Sequence, residues 1–457
     1  MKNKTRRDFL RTALQSATAL GAMSTFGRIN ALASGGSGYQ ALVCIFLAGG
    51  NDGHNTVVPI TTAQQNYSLY QKGRQSLALP QNSLRTIMNG SDTYGLHANL
   101  PELQALYNQG RAAVLANVGN LVVPLKQADY QAAIKASTSA ALPSALFSHS
   151  DQSSQWQSGA PNGTSSTGWG GRIMDLMQAQ DGSAVFPSIA NTGGCGLFCA
   201  GQQTFPATVP PPSAGSQSPT GMAKLNSSGA AGTTAQQQLL GFQSGLQLVQ
   251  AADDILNRGN QYANTLSSLL STSNVSTAFP ANNPLAAQLR TVANIMSVRG
   301  SLGLTRQIFF CQLGSFDTHG DQTETQQQLL AQLSQAMSAF YQATVELGLA
   351  QSVTTFTASE FGRTLSPSGT DGTDHAWGNH HFIVGGAVQG GKMYGSFPSL
   401  ALGGPQDANL RGTLIPTTSV AQYGATLAQW FGVSASDMAT VFPNIGGFTT
   451  SNLGFLG

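Results

Sequence analysis

The chain has 457 residues, with 21 Lys+Arg against 19 Asp+Glu and a formal net charge of +2. Charged residues make up only 9%, against about 25% in an average soluble protein. Near-neutrality with no basic stripe excludes a nucleic-acid binder, and the low net charge excludes a disordered chain.

In chain order, the first element is an export leader covering residues 1–33. Lys2, Lys4, Arg6, Arg7 and Arg11 make a basic start, a modest apolar stretch follows, and Ala31-Leu32-Ala33 places small residues where a signal peptidase reads. Arg6-Arg7 looks like a twin-arginine address, which implies the twin-arginine translocase as a partner and a periplasmic or secreted destination. Setting the leader aside removes six bases and one acid, so the charge turns from +2 to −3. No later stretch reaches the roughly 18 apolar residues of a membrane span, so no stable span is expected.

Apolar, β-branched runs bounded by Gly, Ser or Asn predict strands at 41–47, 112–118, 307–313 and 353–358. Helical spacing predicts helices at 100–108, 170–178, 236–270, 284–298, 322–349 and 420–431. Strand, helix, strand across 307–358 reads as a βαβ unit, hence a parallel sheet covered by helices. The Pro/Ser/Gly-rich residues 201–235 read as a flexible insertion within a single α/β domain at 34–457, and 385–395 as a Gly-bearing hairpin. Cys44 and Cys311 sit in strand-like runs as buried small hydrophobes, whereas Cys195 and Cys199 are spaced for a short disulfide loop or two thiols. The absence of any C-x-x-C pair argues against a four-cysteine metal or iron–sulfur site.

The chemistry gathers at strand ends. Asp52 and His54 follow the first strand, Asp317 and His319 the third, and Glu360 and Arg363 the fourth. That edge of a parallel sheet is where ligands bind. Asp317 and His319 are two apart, so an extended segment turns both to one side, ready to share a divalent ion. The segment 372–381 adds His375, His380 and His381; the last two are adjacent and face opposite ways, so at most one of them is expected as a ligand. The expected metal set is Asp52, Asp317, His319, Glu360, His375 and His380, holding zinc, calcium or manganese. Arg363 is either a clamp for an anion's oxygens or the partner of Glu360 or Asp371. His97 reads as structural. His149, between Ser148 and Ser150, is a candidate catalytic group.

The motifs at 47–59, 94–103, 315–322, 357–395 and 415–432, with the twin-arginine start, resemble a bacterial family known by a domain of unknown function, DUF1501. That family is similar, remotely, to the alkaline phosphatase and sulfatase superfamily. The resemblance implies an α/β fold with a doubly wound, mostly parallel sheet, helices on both faces, and metal at the strand ends. It implies phosphoryl or sulfuryl transfer through a hydroxyl or modified-cysteine nucleophile, with Ser148 or Ser150 in the corresponding region. Departures are evident: one residue, instead of three, separates Asp317 from His319, Glu360 replaces an aspartate, and Phe361 replaces a ligand histidine. The expected function is a metal-dependent hydrolase of phosphate or sulfate esters, small or polymeric. The alternative is a non-catalytic secreted binding or assembly protein that keeps the fold.

Overall fold

The apolar runs form the centre of a large sheet because their residues are buried on both faces, as parallel strands require. The computed structural model describes residues 38–457 apart from 137–140, 164, 179–185, 195, 214–219, 223–246, 274 and 370. The leader at 1–33, Cys195 with its possible disulfide, the start of the helix expected from 236, and much of 201–235 lie outside these residues.

The strands are β1 (Gln40–Leu47), β2 (Val57–Thr61), β3 (Arg85–Asn89), β4 (Asp92–Leu96), β5 (Ala112–Gly119), β6 (Ile189–Asn191), β7 (Ala207–Thr208), β8 (Arg306–Leu313), β9 (Val353–Ala358), β10 (Asn379–Gly385), β11 (Met393–Tyr394) and β12 (Thr418–Ser419). The main sheet runs β11-β5-β10-β9-β1-β8-β6-β7, with β12 also on β5. β1 pairs in parallel with both β8 and β9, while β10 is antiparallel to β9 and β5. The sheet is thus mixed and mostly parallel. β2, β4 and β3 make a separate antiparallel sheet.

Side-chain alternation splits β1 and β8 between two layers. Leu42, Cys44, Phe46, Ile308 and Phe310 join a core with Trp169, Ile173 and Met174 of the helix Trp169–Met177 and Tyr423, Leu427 and Phe431 of the helix Val420–Phe431. Val43, Ile45, Phe309 and Cys311 are equally buried but point the other way. On that side the helix Pro284–Ser297 is tied to β8 through Gln288, whose side chain donates to the Gln312 carbonyl and accepts its N–H. Burying each such aliphatic or aromatic side chain contributes about 1.5–3 kcal/mol.

The helix Gln322–Glu346 carries the chain from β8 to β9, passing over β1, with Leu330, Leu333, Met337 and Phe340 buried. It stops short of the expected 349 because Gly348 turns left-handed at φ +69. Residues 385–395 do not form the expected hairpin: β10 and β11 lie on opposite sides of β5 and pair with it, not with each other. The described part of 201–235 adds the edge strand β7, parallel to β6. Residues Gln40–Gly457 form one compact unit. Among the described residues, no helix is long and apolar enough to cross a membrane.

Candidate metal centre

Three strand ends and one helix start build the centre. β1 runs into Gly49-Gly50, β8 into Asp317 and His319, and β9 into Glu360 and Arg363. His149 opens the helix His149–Ser158, which ends at a left-handed Gly159, and His375 lies in the loop before β10. Gly49 is required where the loops meet: at φ +117, a Cβ would stand 2.3 Å from the Asp317 amide nitrogen. Across the site, a Cβ on Gly372 would lie 2.0 Å from the His319 carbonyl oxygen.

The donor atoms converge. His375 Nε2 is 3.0 Å from both His149 Nε2 and His319 Nε2. Asp317 Oδ1 is 3.1 Å from His319 Nε2 and 3.4 Å from His375 Nε2, and Oδ2 is 3.4 Å from His149 Nε2. The ligand atoms of His149, Asp317 and His375 all fall within 4.8 Å of one another.

The far ring nitrogens assign the tautomers. His375 Nδ1 lies 2.8 Å from the Phe147 carbonyl oxygen, which can only accept, so Nδ1 carries the proton and Nε2 a lone pair. His149 Nδ1 meets Glu360 Oε1 at 3.0 Å, and His319 Nδ1 meets Asp374 Oδ1 at 3.5 Å. His149 and His375 thus turn a proton outward to an oxygen and a lone pair inward, the arrangement that metal-ligating histidines adopt, while His319 has the Asp374 carboxylate on its far side. Lone pairs and a carboxylate face one another at distances that repel unless a cation lies among them. The donor chemistry fits a divalent cation. Imidazole nitrogens and a carboxylate oxygen are donors that divalent metals accept.

The surrounding charges shift the groups of the cluster. Burial pushes the Asp317 carboxyl up, but the hydrogen bond and charge of Arg363 outweigh it and hold the group below its usual range. The hydrogen bond to Glu360 raises His149, while burial lowers His375.

Several residues expected in the metal set are elsewhere. Asp52 is buried and committed: Oδ1 caps the short helix Gly53–Thr56 through the amides of His54 and Asn55, while Oδ2 meets Arg74 and accepts from Gln322. A carboxylate already paired with a buried guanidinium has no oxygen to offer an ion. His380 belongs to buried β10, where its Nδ1 accepts from the Asn117 amide at 3.1 Å and its ring stacks on Phe397. His381 faces the other side, against Trp156 and Thr357. Neither reaches the cluster. The histidines of NHHFIVG are buried neutral core residues, which a pattern of metal-competent groups does not distinguish from ligands.

Glu360 is 3% exposed and stands behind the donor atoms, with Oε1 accepting from both His149 Nδ1 and the Gly49 amide. Arg363 is neither an open clamp nor the partner of Glu360 or Asp371. Its side chain is fully buried and donates to the carbonyls of Gly49, Gly50, Phe316 and Thr373 and to Asp317. Ser148 precedes the His149 helix and donates to Asp151 Oδ2. His149, expected as a catalytic group, contributes a donor atom to the cluster. His97 stands apart, its Nδ1 accepting from the Asn99 amide. Two contributors are not marked in the sequence. The Phe147 carbonyl carries no side-chain signal, and Arg411, which pairs with Asp374, comes from a distant loop.

Residues 39–410 match a family model described as a protein of unknown function, DUF1501. The chain belongs to the DUF1501 family. No curated protein matches it. Among solved structures, this DUF1501 protein is similar to the lipoteichoic acid synthase LtaP from Listeria monocytogenes, at 7% identity over 87% of this chain and 73% of that one, TM-score 0.34. It is also similar to the C-terminal periplasmic domain of EcEptC from Escherichia coli in complex with Zn, at 12% identity over 87% and 84%, TM-score 0.33. A third is the PsFucS1 sulfatase from Pseudoalteromonas sp., at 10% identity over 96% and 74%, TM-score 0.34. Overlaps this loose leave the chemistry of the DUF1501 chain to its own residues.

Proposed function

We propose that the chain is an extracytoplasmic, metal-dependent hydrolase of phosphate or sulfate esters, exported by the twin-arginine translocase and acting on a small or polymeric anionic ester. The observation that supports it most is the convergence of the His149, His319 and His375 Nε2 atoms on the Asp317 carboxylate, with Asp317 and His319 half exposed. A bound divalent ion would supply Lewis acidity there, polarising an ester oxygen and lowering the pKa of an attacking water.

The chain's own groups prepare that place. Glu360 and the Phe147 carbonyl hold His149 and His375 in the donor tautomer, Asp374 faces His319, and Arg363 fixes the Asp317 carboxylate. Formal charge bears on the substrate. Asp317, Glu360 and Asp374 outnumber Arg363 and Arg411 by one, so the bare centre repels anions. A divalent cation reverses the sign and draws an anionic ester to it.

One observation favours the alternative, a secreted binding or assembly protein. The Phe361 ring lies 4.8 Å from that of His149 and 4.7 Å from that of His375, filling with carbon the place where the superfamily resemblance implies a further ligand. Metal analysis of the protein purified without chelators, wild type against Asp317→Ala, tests the metal reading. About one ion per chain is expected in the wild type, and less than ~0.2 refutes it. Metal-loaded protein is then assayed on nitrophenyl phosphate, phosphodiester and sulfate esters. Inactivity on every one of them refutes the hydrolase and leaves the binding protein.

A further inference from the structure

The centre has two guanidiniums beside it, and their surroundings are opposite. Arg363 is wholly buried, with Nε, Nη1 and Nη2 each donating to the protein. Arg411 keeps 42% of its side chain exposed. One Nη donates to Asp374 Oδ2, and the other lies 3.5 Å from the Pro367 carbonyl, at the limit of hydrogen bonding. A guanidinium has five N–H donors, so Arg411 retains donors for a ligand.

Its position is set by the site. The same Asp374 places Oδ1 3.5 Å from His319 Nδ1, so Arg411 stands one carboxylate and one imidazole away from the donor cluster. Its backbone is pinned to the strand-end loop that carries Arg363: the Ser366 amide donates to the Arg411 carbonyl at 3.0 Å, and the Leu365 amide to the Gly412 carbonyl at 3.2 Å. The preceding Leu410 is held left-handed at φ +67 although it is 69% exposed. Such a conformation persists only where the surroundings over-determine it. The result is a charged fork, fixed at its base and open at its tip, on the rim of the centre.

We propose that Arg411 is the anion-binding residue of this centre and takes the terminal oxygens of a tetrahedral oxyanion, a phosphate or a sulfate, beside the bound ion. This rests on the ester-hydrolase reading above. The planar fork matches two oxygens of such a group. Asp374 then faces His319 with one oxygen and orients Arg411 with the other.

The test uses the full chain loaded with zinc. Zinc content is measured by elemental analysis, and inorganic phosphate and inorganic sulfate are titrated separately by calorimetry. Wild type, Arg411→Gln and Arg411→Lys are compared. Arg411→Gln is expected to keep its zinc and weaken binding of the preferred anion on the order of tenfold or more, with Arg411→Lys recovering part of the loss. The phosphate and sulfate arms identify which oxyanion the site takes. Unchanged anion affinity in Arg411→Gln overturns the assignment while leaving the hydrolase reading intact. So does a fall in its zinc content, since that makes Arg411 a mere support. Zinc-free wild type, or zinc-loaded wild type that binds neither anion, overturns the underlying reading itself.

Discussion

Glu360→Gln is the substitution that separates a ligand from an orienting group. Glu360 Oε1 accepts the Gly49 amide at 2.8 Å and His149 Nδ1 at 3.0 Å, and Oε2 faces the Ser359 hydroxyl at 3.5 Å. A glutamine with its oxygen in the Oε1 position keeps both accepted hydrogen bonds, and its amide can donate to Ser359. The fold should therefore survive. What is lost is the negative charge on the far side of His149, which strengthens its hydrogen bond and makes Nε2 a better donor. Changing such a supporting group costs roughly 10- to 100-fold in metal affinity, or about 1.4–2.7 kcal/mol. The assay is a competition titration against a chromophoric chelator, with thermal unfolding as the control for folding. Asp317→Asn, which alters a donor oxygen directly, should lose more. Equal loss in the two variants would make Glu360 a ligand, and no loss in Glu360→Gln would remove its orienting role; either result refutes the geometry argued here.

Asp52→Ala leaves Arg74 as a buried, unpaired cation and should cost about 3–5 kcal/mol of stability, while metal per folded chain stays at the wild-type value; metal loss without destabilisation would return Asp52 to the ligand set. Burial pushes His54 and His97 down to about 4 and His381 down to about 3. They stay neutral in the fold while the unfolded chain takes up protons below about 6.5, so their contribution is complete above that pH and is lost as pH falls toward 4. Denaturant unfolding at stepped pH checks this, and a His97→Gln variant should flatten the decline; an identical slope in wild type and variant refutes the assignment. Gly372→Ala places a Cβ against the His319 carbonyl, so it should displace His319 and reduce metal content; an unchanged metal content would show that the loop has room to move.

The strands legible in the sequence are those buried on both faces: ALVCIFL, AAVLANV, QIFFCQL and VTTFTA all lie in the main sheet within one or two residues of their expected ends. β10 was not legible, because its two histidines interrupt the apolar pattern and resemble ligands. Only the burial of His380 and His381, with partners on β5 and β9, tells core imidazole from metal ligand. Asp317 and His319 could be nominated from a scarcity of charge and a position after strands, and His375 from the crowding of metal-competent groups at 372–381. Their partners could not. His149 reaches Glu360 across 211 residues, and Asp52 meets Gln322 across 270. Pairings at that separation are fixed by how the strand order folds back on itself, which no local spacing records.

Arg363 illustrates the limit most sharply. Three residues after Glu360, at the end of a central strand, it has the place and the chemistry of an anion clamp. Its burial decides otherwise. A guanidinium taken fully out of water must have its charge and donors satisfied at all times, or the desolvation cost is not recovered. Arg363 meets that demand with four backbone carbonyls from the loops after β1, β8 and β9 and with Asp317. A group so engaged cannot release its partners for a substrate at each turnover without pulling those loops apart. It holds Asp317 in place instead, and recognition of an anion falls to a cation that still touches water, which at this centre is Arg411.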